Sequence, residues 1–229
     1  MLPLRIESFP DAALGDDRFG ADSLPSRGIT VAAADPFVLA SIHRHGVNLA
    51  IFHRPLPRGV SAASLQSLLS VAPFTLTASG PPETVATQIA KRAPALVPAP
   101  LLEDMADLAA FFEILDDQSG KVRVRLEALD HNGCSRWHAD AVGLRLLCTY
   151  CGPGTQWLSM VGGAPAARAM GREPPKQAVQ HIPAGAVAVL KGEAYPDNAE
   201  NGCIHRSPPA GGRVRLLLCI DQPRWDLEE

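Results

Sequence analysis

Lys121-Val-Arg-Val-Arg-Leu-Glu127, followed closely by Cys134-Ser-Arg-Trp-His-Ala-Asp140, marks the point where the chain changes character. The first stretch alternates strictly. Val122, Val124 and Leu126 fall on one face and charged side chains on the other, the period of a half-buried strand. Strand-like runs separated by Gly and Pro come after it: Gly143 to Tyr150, Gln156 to Met160, Val179 to Ile182, Ala186 to Lys191 and Arg213 to Asp221. Short strands with regular turn punctuation point to a sandwich or barrel of the jelly-roll or cupin type. Gly162 to Lys176 is rich in Gly, Ala and Pro and reads as a long loop.

Upstream the periodicity is mixed. Residues 1 to about 30 show no clean period and read as irregular, with room for a short helix. A short helix is expected from about Asp35 to His45. In Gly46 to Pro55, Val47, Leu49 and Ile51 share a face, so this is a strand that Pro55 ends. Ser61 is a suitable N-cap for a short helix. Phe74-Thr-Leu-Thr is a short strand. Pro82 to Arg92 opens with Pro and closes with basic residues, both suited to a helix's ends. From Leu101 to Asp117, Leu101, Met105, Leu108, Phe112 and Leu115 form one apolar stripe, and Gly120 stands near the stop. The reading is α+β: a mixed α/β region over residues 1–120, its helices packed on a jelly-roll core over residues 121–229, all in one globule.

The chain has 229 residues, 46% hydrophobic and 20% charged, enough for a substantial core. A net charge of −3 gives no electrostatic case for nucleic acid or an anionic membrane. No secretory signal or span-length apolar run is visible, and the five cysteines are an odd number. Reduced thiols and a cytoplasmic location are therefore expected.

His138 and Asp140 are two apart, so on an extended backbone both point to one side. His205 lies 65 positions beyond Asp140, a separation that the intervening strands of a jelly roll can span. Two imidazoles and a carboxylate form the facial set that non-haem Fe(II) oxygenases use, which leaves open positions on the ion. Two readings remain open on the residues alone: this metal site, or a local His–Asp hydrogen bond with an unrelated loop histidine.

Three blocks resemble the double-stranded β-helix core of the 2-oxoglutarate- and Fe(II)-dependent dioxygenases. They are Arg136-Trp-His-Ala-Asp140 with Leu144 to Tyr150 and the Gly152-Pro-Gly-Thr-Gln-Trp-Leu158 turn; Ile182-Pro-Ala-Gly185 running into an apolar strand; and His205-Arg-Ser-Pro-Pro209 through Gly211-Gly-Arg-Val-Arg-Leu-Leu-Leu218. The resemblance covers about the last 110 residues. At whole-chain level the sequence also resembles a bacterial family defined only as a domain of unknown function, on Cys148-Thr-Tyr150, Gly152-Pro-Gly-Thr155 and His205-Arg-Ser-Pro-Pro209. The dioxygenase resemblance implies that His138, Asp140 and His205 hold Fe(II). It implies that a basic residue after the distal His pairs with the far carboxylate of 2-oxoglutarate, a task for which the guanidinium fork is suited. Arg215 has the family's spacing and Arg213 is the alternative. Tyr150 would hydrogen-bond the same carboxylate, and Arg145 would face an anionic substrate. Oxidative decarboxylation of the cosubstrate would drive oxidation of a small-molecule or protein substrate that the sequence does not name. The oligomeric state is likewise left open.

Cys134 and Cys203 sit beside the proposed ligands, so a cupin-like zinc protein is the alternative. A non-catalytic β-sandwich binding module is the second. Cys148 and Cys151 are three apart and point to opposite faces of a strand. His43, His45 and His53, with Arg44, Arg54 and Arg58, form a small basic region that reads as a solvated strand edge. The Arg strand faces read either as functional or as solvated surfaces with packed stems.

Overall fold

The computed structural model describes residues 28–116 and 120–223. The irregular segment expected at the N-terminus lies almost wholly outside the described residues. Ten strands and four α-helices follow in order. β1 (Ile29–Ala33) and β2 (Val47–Phe52) flank a 3-10 helix, Pro36–His43. Next come α1 (Ala62–Leu69), β3 (Phe74–Gly80), α2 (Pro82–Arg92) and α3 (Ala99–Asp116). The later half holds β4 (Val122–Leu129), β5 (Leu144–Cys151), β6 (Gln156–Leu158), α4 (Gly163–Ala169), β7 (Val179–His181), β8 (Val187–Lys191), β9 (His205–Arg206) and β10 (Arg215–Asp221).

Local signals worked where they were strong. The Ser61 hydroxyl accepts the Ser64 N–H at 3.2 Å, and Ser64 returns the bond to the Ser61 N–H at 2.9 Å, a capping box that starts α1. Pro82 occupies the first turn of α2. The stretch read as a loop from Gly162 to Lys176 instead contains α4. Its Ala-rich composition supports a helical turn once Gly162, at φ +94°, has reversed the chain.

One seven-stranded sheet runs in the order β1-β2-β8-β5-β10-β4-β3, and a three-stranded sheet runs β7-β6-β9. His138 joins the small sheet through an antiparallel bridge to His205. From β4 onward the chain alternates between the sheets: β4 large, His138 small, β5 large, β6 and β7 small, β8 large, β9 small, β10 large. The N-terminal region does more than pack helices on this core. Its strands extend the large sheet at both edges, with β2 paired to β8 and β3 to β4.

Alternation along the strands divides the interior in two. Leu146, Cys148 and Tyr150 of β5 and Leu216, Leu218 and Ile220 of β10 face the helices. They pack with Leu101, Met105 and Phe112 of α3 in the main core. Leu147, Ala188, Leu190, Leu217 and Cys219 point the other way, into a smaller cluster with Ile182 and Trp157 against the small sheet. Each buried Leu or Phe contributes about 1.5–3 kcal/mol. The helix-side core holds the large sheet rigid, and its opposite face is left to carry polar side chains inside the molecule.

Candidate metal centre

His138 and His205 exchange main-chain hydrogen bonds: His138 N–H to His205 C=O at 3.0 Å and the reverse at 2.8 Å. Directly opposed residues of an antiparallel pair project to the same side. The two rings accordingly stand 4.4 Å apart between centroids. Asp140, two residues past His138, joins them. One ligand atom from each of the three lies within 4.8 Å of the others, and among the described residues this is the only such His/Cys/Asp/Glu group.

Each ring is pre-oriented. Nδ1 of His138 faces Arg136 C=O at 2.9 Å, and Nδ1 of His205 faces Cys203 C=O at 3.0 Å. A carbonyl only accepts, so Nδ1 carries the proton and the Nε2 lone pairs point inward, the arrangement metal-ligating histidines adopt. Burial lowers the pKa of His205 and outweighs the pull of Asp140 toward the charged form. His205 is therefore neutral and able to ligate. For Asp140, burial alone would raise the pKa, but the His205 ring, the Arg145 guanidinium and the His138 ring beside it together hold it below its ordinary value. Its Oδ2 is buried without a hydrogen-bond partner, 3.4 Å from His205 Nε2, and Oδ1 lies 3.6 Å from His138 Nε2. An orphaned carboxylate oxygen between two inward lone pairs is costly unless a cation fills the point. This donor set fits a divalent ion.

The backbone leaves little slack around Asp140. Its carbonyl accepts from Glu193 N–H at 2.7 Å. A Cβ on Gly192 would lie 2.7 Å from the Asp140 carbonyl oxygen and would overlap that of Val142. Gly192 is thus required for β8 to pass this close to the ligand loop.

A cavity of about 250 Å³ is lined by His138 and His205 together with Arg215, Thr155 and Leu217. Arg215 is 4% exposed. It donates to Thr155 Oγ1 at 2.6 Å, Ser207 Oγ at 3.3 Å and Thr149 Oγ1 at 3.4 Å, hydroxyls rather than carboxylates. Its Nε has no hydrogen-bond partner. Burial lowers its pKa to about 10.

The other expected site residues are placed differently. Arg213 precedes β10 and is exposed at a surface hollow beside Leu69 and Cys151. Tyr150 lies on the opposite face of β5 from Arg145 and Thr149, because its position has the other parity. Its hydroxyl donates to Asp104 Oδ2 at 2.6 Å, and Asp104 also takes the Arg54 fork at 2.5 and 2.8 Å. Arg145 lines the cavity, but its guanidinium is spent on Asp140 and Asp221, so it is not presented to a substrate. Sequence reading missed Asp221 and Asp104. Each is a single carboxylate whose partner is remote in the chain, so neither carries a local signal.

All five cysteines are free. Cys134 Sγ lies 3.6 Å from His138 Nδ1, the nitrogen turned away from the ligand point, and Cys203 is buried in the inter-sheet cluster. No described helix is long and apolar enough to cross a membrane.

The fold and site define a mixed α/β protein with a His-Asp-His centre between two sheets. The chain belongs to the DUF1826 family, described as a protein of unknown function, whose model matches residues 33–221. No curated protein matches it. Among solved structures it is similar to the rice dioxygenase for auxin oxidation: 13% identity over 80% of this chain and 78% of that one, TM-score 0.46. It is also similar to dioxygenase for auxin oxidation 1 of Arabidopsis thaliana in complex with 2-oxoglutarate, at 12% identity over 87% and 94% and TM-score 0.48. A third is a Pseudomonas putida prolyl-4-hydroxylase, at 13% identity over 82% and 98% and TM-score 0.41.

Proposed function

We propose that this protein is an Fe(II)- and 2-oxoglutarate-dependent oxygenase, and that residues 121–221 form a double-stranded β-helix around the metal. The alternation of strands between the two sheets supports the architecture. One observation carries the activity: His138 and His205, which cluster with an unpartnered Asp140 Oδ2, line a cavity together with a buried arginine that hydrogen-bonds hydroxyls rather than a carboxylate. The three side chains would hold Fe(II) by one face. Arg215, with Thr155 beside it, would take the far carboxylate of 2-oxoglutarate as a fork. A cavity of about 250 Å³ suits a small dicarboxylate.

The bound ion and cosubstrate would supply oxidative decarboxylation coupled to substrate oxidation. The protein's own part is orientation. The Arg136 and Cys203 carbonyls hold the imidazoles, Arg145 holds Asp140, and Leu147 and Leu217 add apolar surface to an otherwise largely polar cavity. The primary substrate, small molecule or protein, would approach from the side where the His138 side chain is partly exposed.

Protein purified without oxygen and reconstituted with Fe(II) is expected to convert 2-oxoglutarate to succinate. Replacement of Arg215 by Met should abolish that turnover. Zinc retained in place of iron, with no succinate formed, would replace this reading with a non-oxidative zinc protein on the same three ligands.

A further inference from the structure

The two oxygens of Asp140 are not equivalent. Oδ1 accepts from Arg145 Nη1 at 2.5 Å, whereas Oδ2 has no partner and faces His205. From this asymmetry we infer that Arg145, locked by Asp221, is a positioning residue that restricts Asp140 to one-oxygen coordination of the metal. The inference rests on the metal-centre reading above.

A carboxylate can hold a cation through one oxygen or both. With Oδ1 committed to the guanidinium, Oδ2 is left as the donor. One donor from each of three side chains leaves three positions of an octahedral ion free. A chelating cosubstrate and a third ligand need that number. An Asp140 free to turn would take one of those positions itself.

Arg145 is placed to enforce this. Its Nε and Nη2 donate to Asp221 Oδ1 and Oδ2 at 2.5 and 2.9 Å, so the guanidinium plane is pinned from the opposite side. The β5–β10 register sets Arg145 directly across from Asp221, on the strand that also carries Arg215. Asp221 has an electrostatic role as well. An arginine beside a cation site would repel the ion. The second carboxylate offsets that charge and leaves the Asp140–Arg145–Asp221 set at a net −1. Lysine, a single point charge, could not bridge both carboxylates in one plane.

The test is a cobalt(II) titration of the full chain without cosubstrate, reading affinity and the visible absorption of the bound ion. Arg145→Met is expected to change the absorption envelope and to tighten cobalt binding, because Asp140 can then bring both oxygens to the ion and a positive charge beside it is gone. Asp221→Asn should change the envelope the same way by less, because it only loosens Arg145, while weakening binding through the lost negative charge, and it should leave the envelope unchanged in the Arg145→Met background. Wild-type affinity and an unchanged envelope in Arg145→Met would overturn the inference. If that variant fails to fold, Arg145→Lys decides: it keeps the charge, and an unchanged envelope in it would equally overturn the role of the fork. Absence of cobalt binding by the wild type itself would instead sink the metal-centre reading, and this inference with it.

Discussion

Asp140 Oδ2 and His205 Nε2 face each other across 3.4 Å in the interior, and no hydrogen bond satisfies the carboxylate oxygen. The pairing is uncomfortable for an empty protein and comfortable around a cation. Saturation with a divalent metal at 100 times its Kd should therefore raise unfolding free energy by about 2.7 kcal/mol. Calorimetry with and without Fe(II) under anaerobic conditions measures this. His138→Ala and His205→Ala together should remove the metal-dependent increment and the bound metal alike. Unchanged metal content in that double variant would show that the constellation is not the site.

Acid should weaken the metal-free fold. His205 has a lowered folded pKa, so below its unfolded value of 6.5 the unfolded chain binds more protons than the folded one. Stability then falls with decreasing pH by at most about 1.4 kcal/mol per unit until His205 itself protonates. Asp140, also lowered, acts in the same direction at more acidic pH: its contribution is present above 3.8 and is lost as pH falls through its folded value. Urea unfolding of the metal-free protein should show a midpoint that declines below pH 6.5. A His205→Asn variant should show a shallower first decline, keeping only the part that His43, whose pKa burial also lowers, contributes.

Arg215 predicts an opposition between stability and ligand binding. A buried guanidinium hydrogen-bonded by hydroxyls is strongly desolvated, and the field of Glu127 offsets this only in part, so its pKa falls to about 10. Replacing such a group by a packed apolar one removes the desolvation penalty of a buried charge. Arg215→Met should raise the melting temperature of the ligand-free protein and abolish the further increase that 2-oxoglutarate gives the wild type. A variant that melts lower and still responds to 2-oxoglutarate would refute the assignment of Arg215.

On the other face of the large sheet, Asp104 holds Arg54 and Tyr150 together. Its side chain is 4% exposed. Asp104→Ala would leave Arg54 buried without its partner, at a cost of about 3–5 kcal/mol. Because this cluster lies on the helix side, metal affinity of the folded variant should match the wild type. Chemical denaturation and metal titration on one preparation separate the two effects.

Gly192 offers a backbone test. A methyl group there collides with the carbonyls of Asp140 and Val142. Gly192→Ala should displace the ligand loop and lower metal affinity, read by the same titration, while far-UV circular dichroism stays near the wild-type spectrum.

The sequence by itself determined the elements whose signal is local. The alternation at Val122, Val124 and Leu126, the stripe on α3, the Ser61 cap and the His138–Asp140 spacing each rest on neighbours within a few residues, and the structure contains them. It also supplied His205 as a candidate from the residue types, and Arg215 through resemblance. The strand β9, only two residues long, had no periodicity to reveal it. Tertiary structure alone decided which arginine enters the cavity, because a difference of two residues at the start of β10 separates an exposed turn from a buried strand face. It alone turned Tyr150 away from the site and gave Arg145 to Asp140 and Asp221, since those partners meet through strand register rather than through sequence proximity. Charge pairs between distant strands leave no local pattern. They arise when the sheet closes, and here they determine how the Asp140 carboxylate is held.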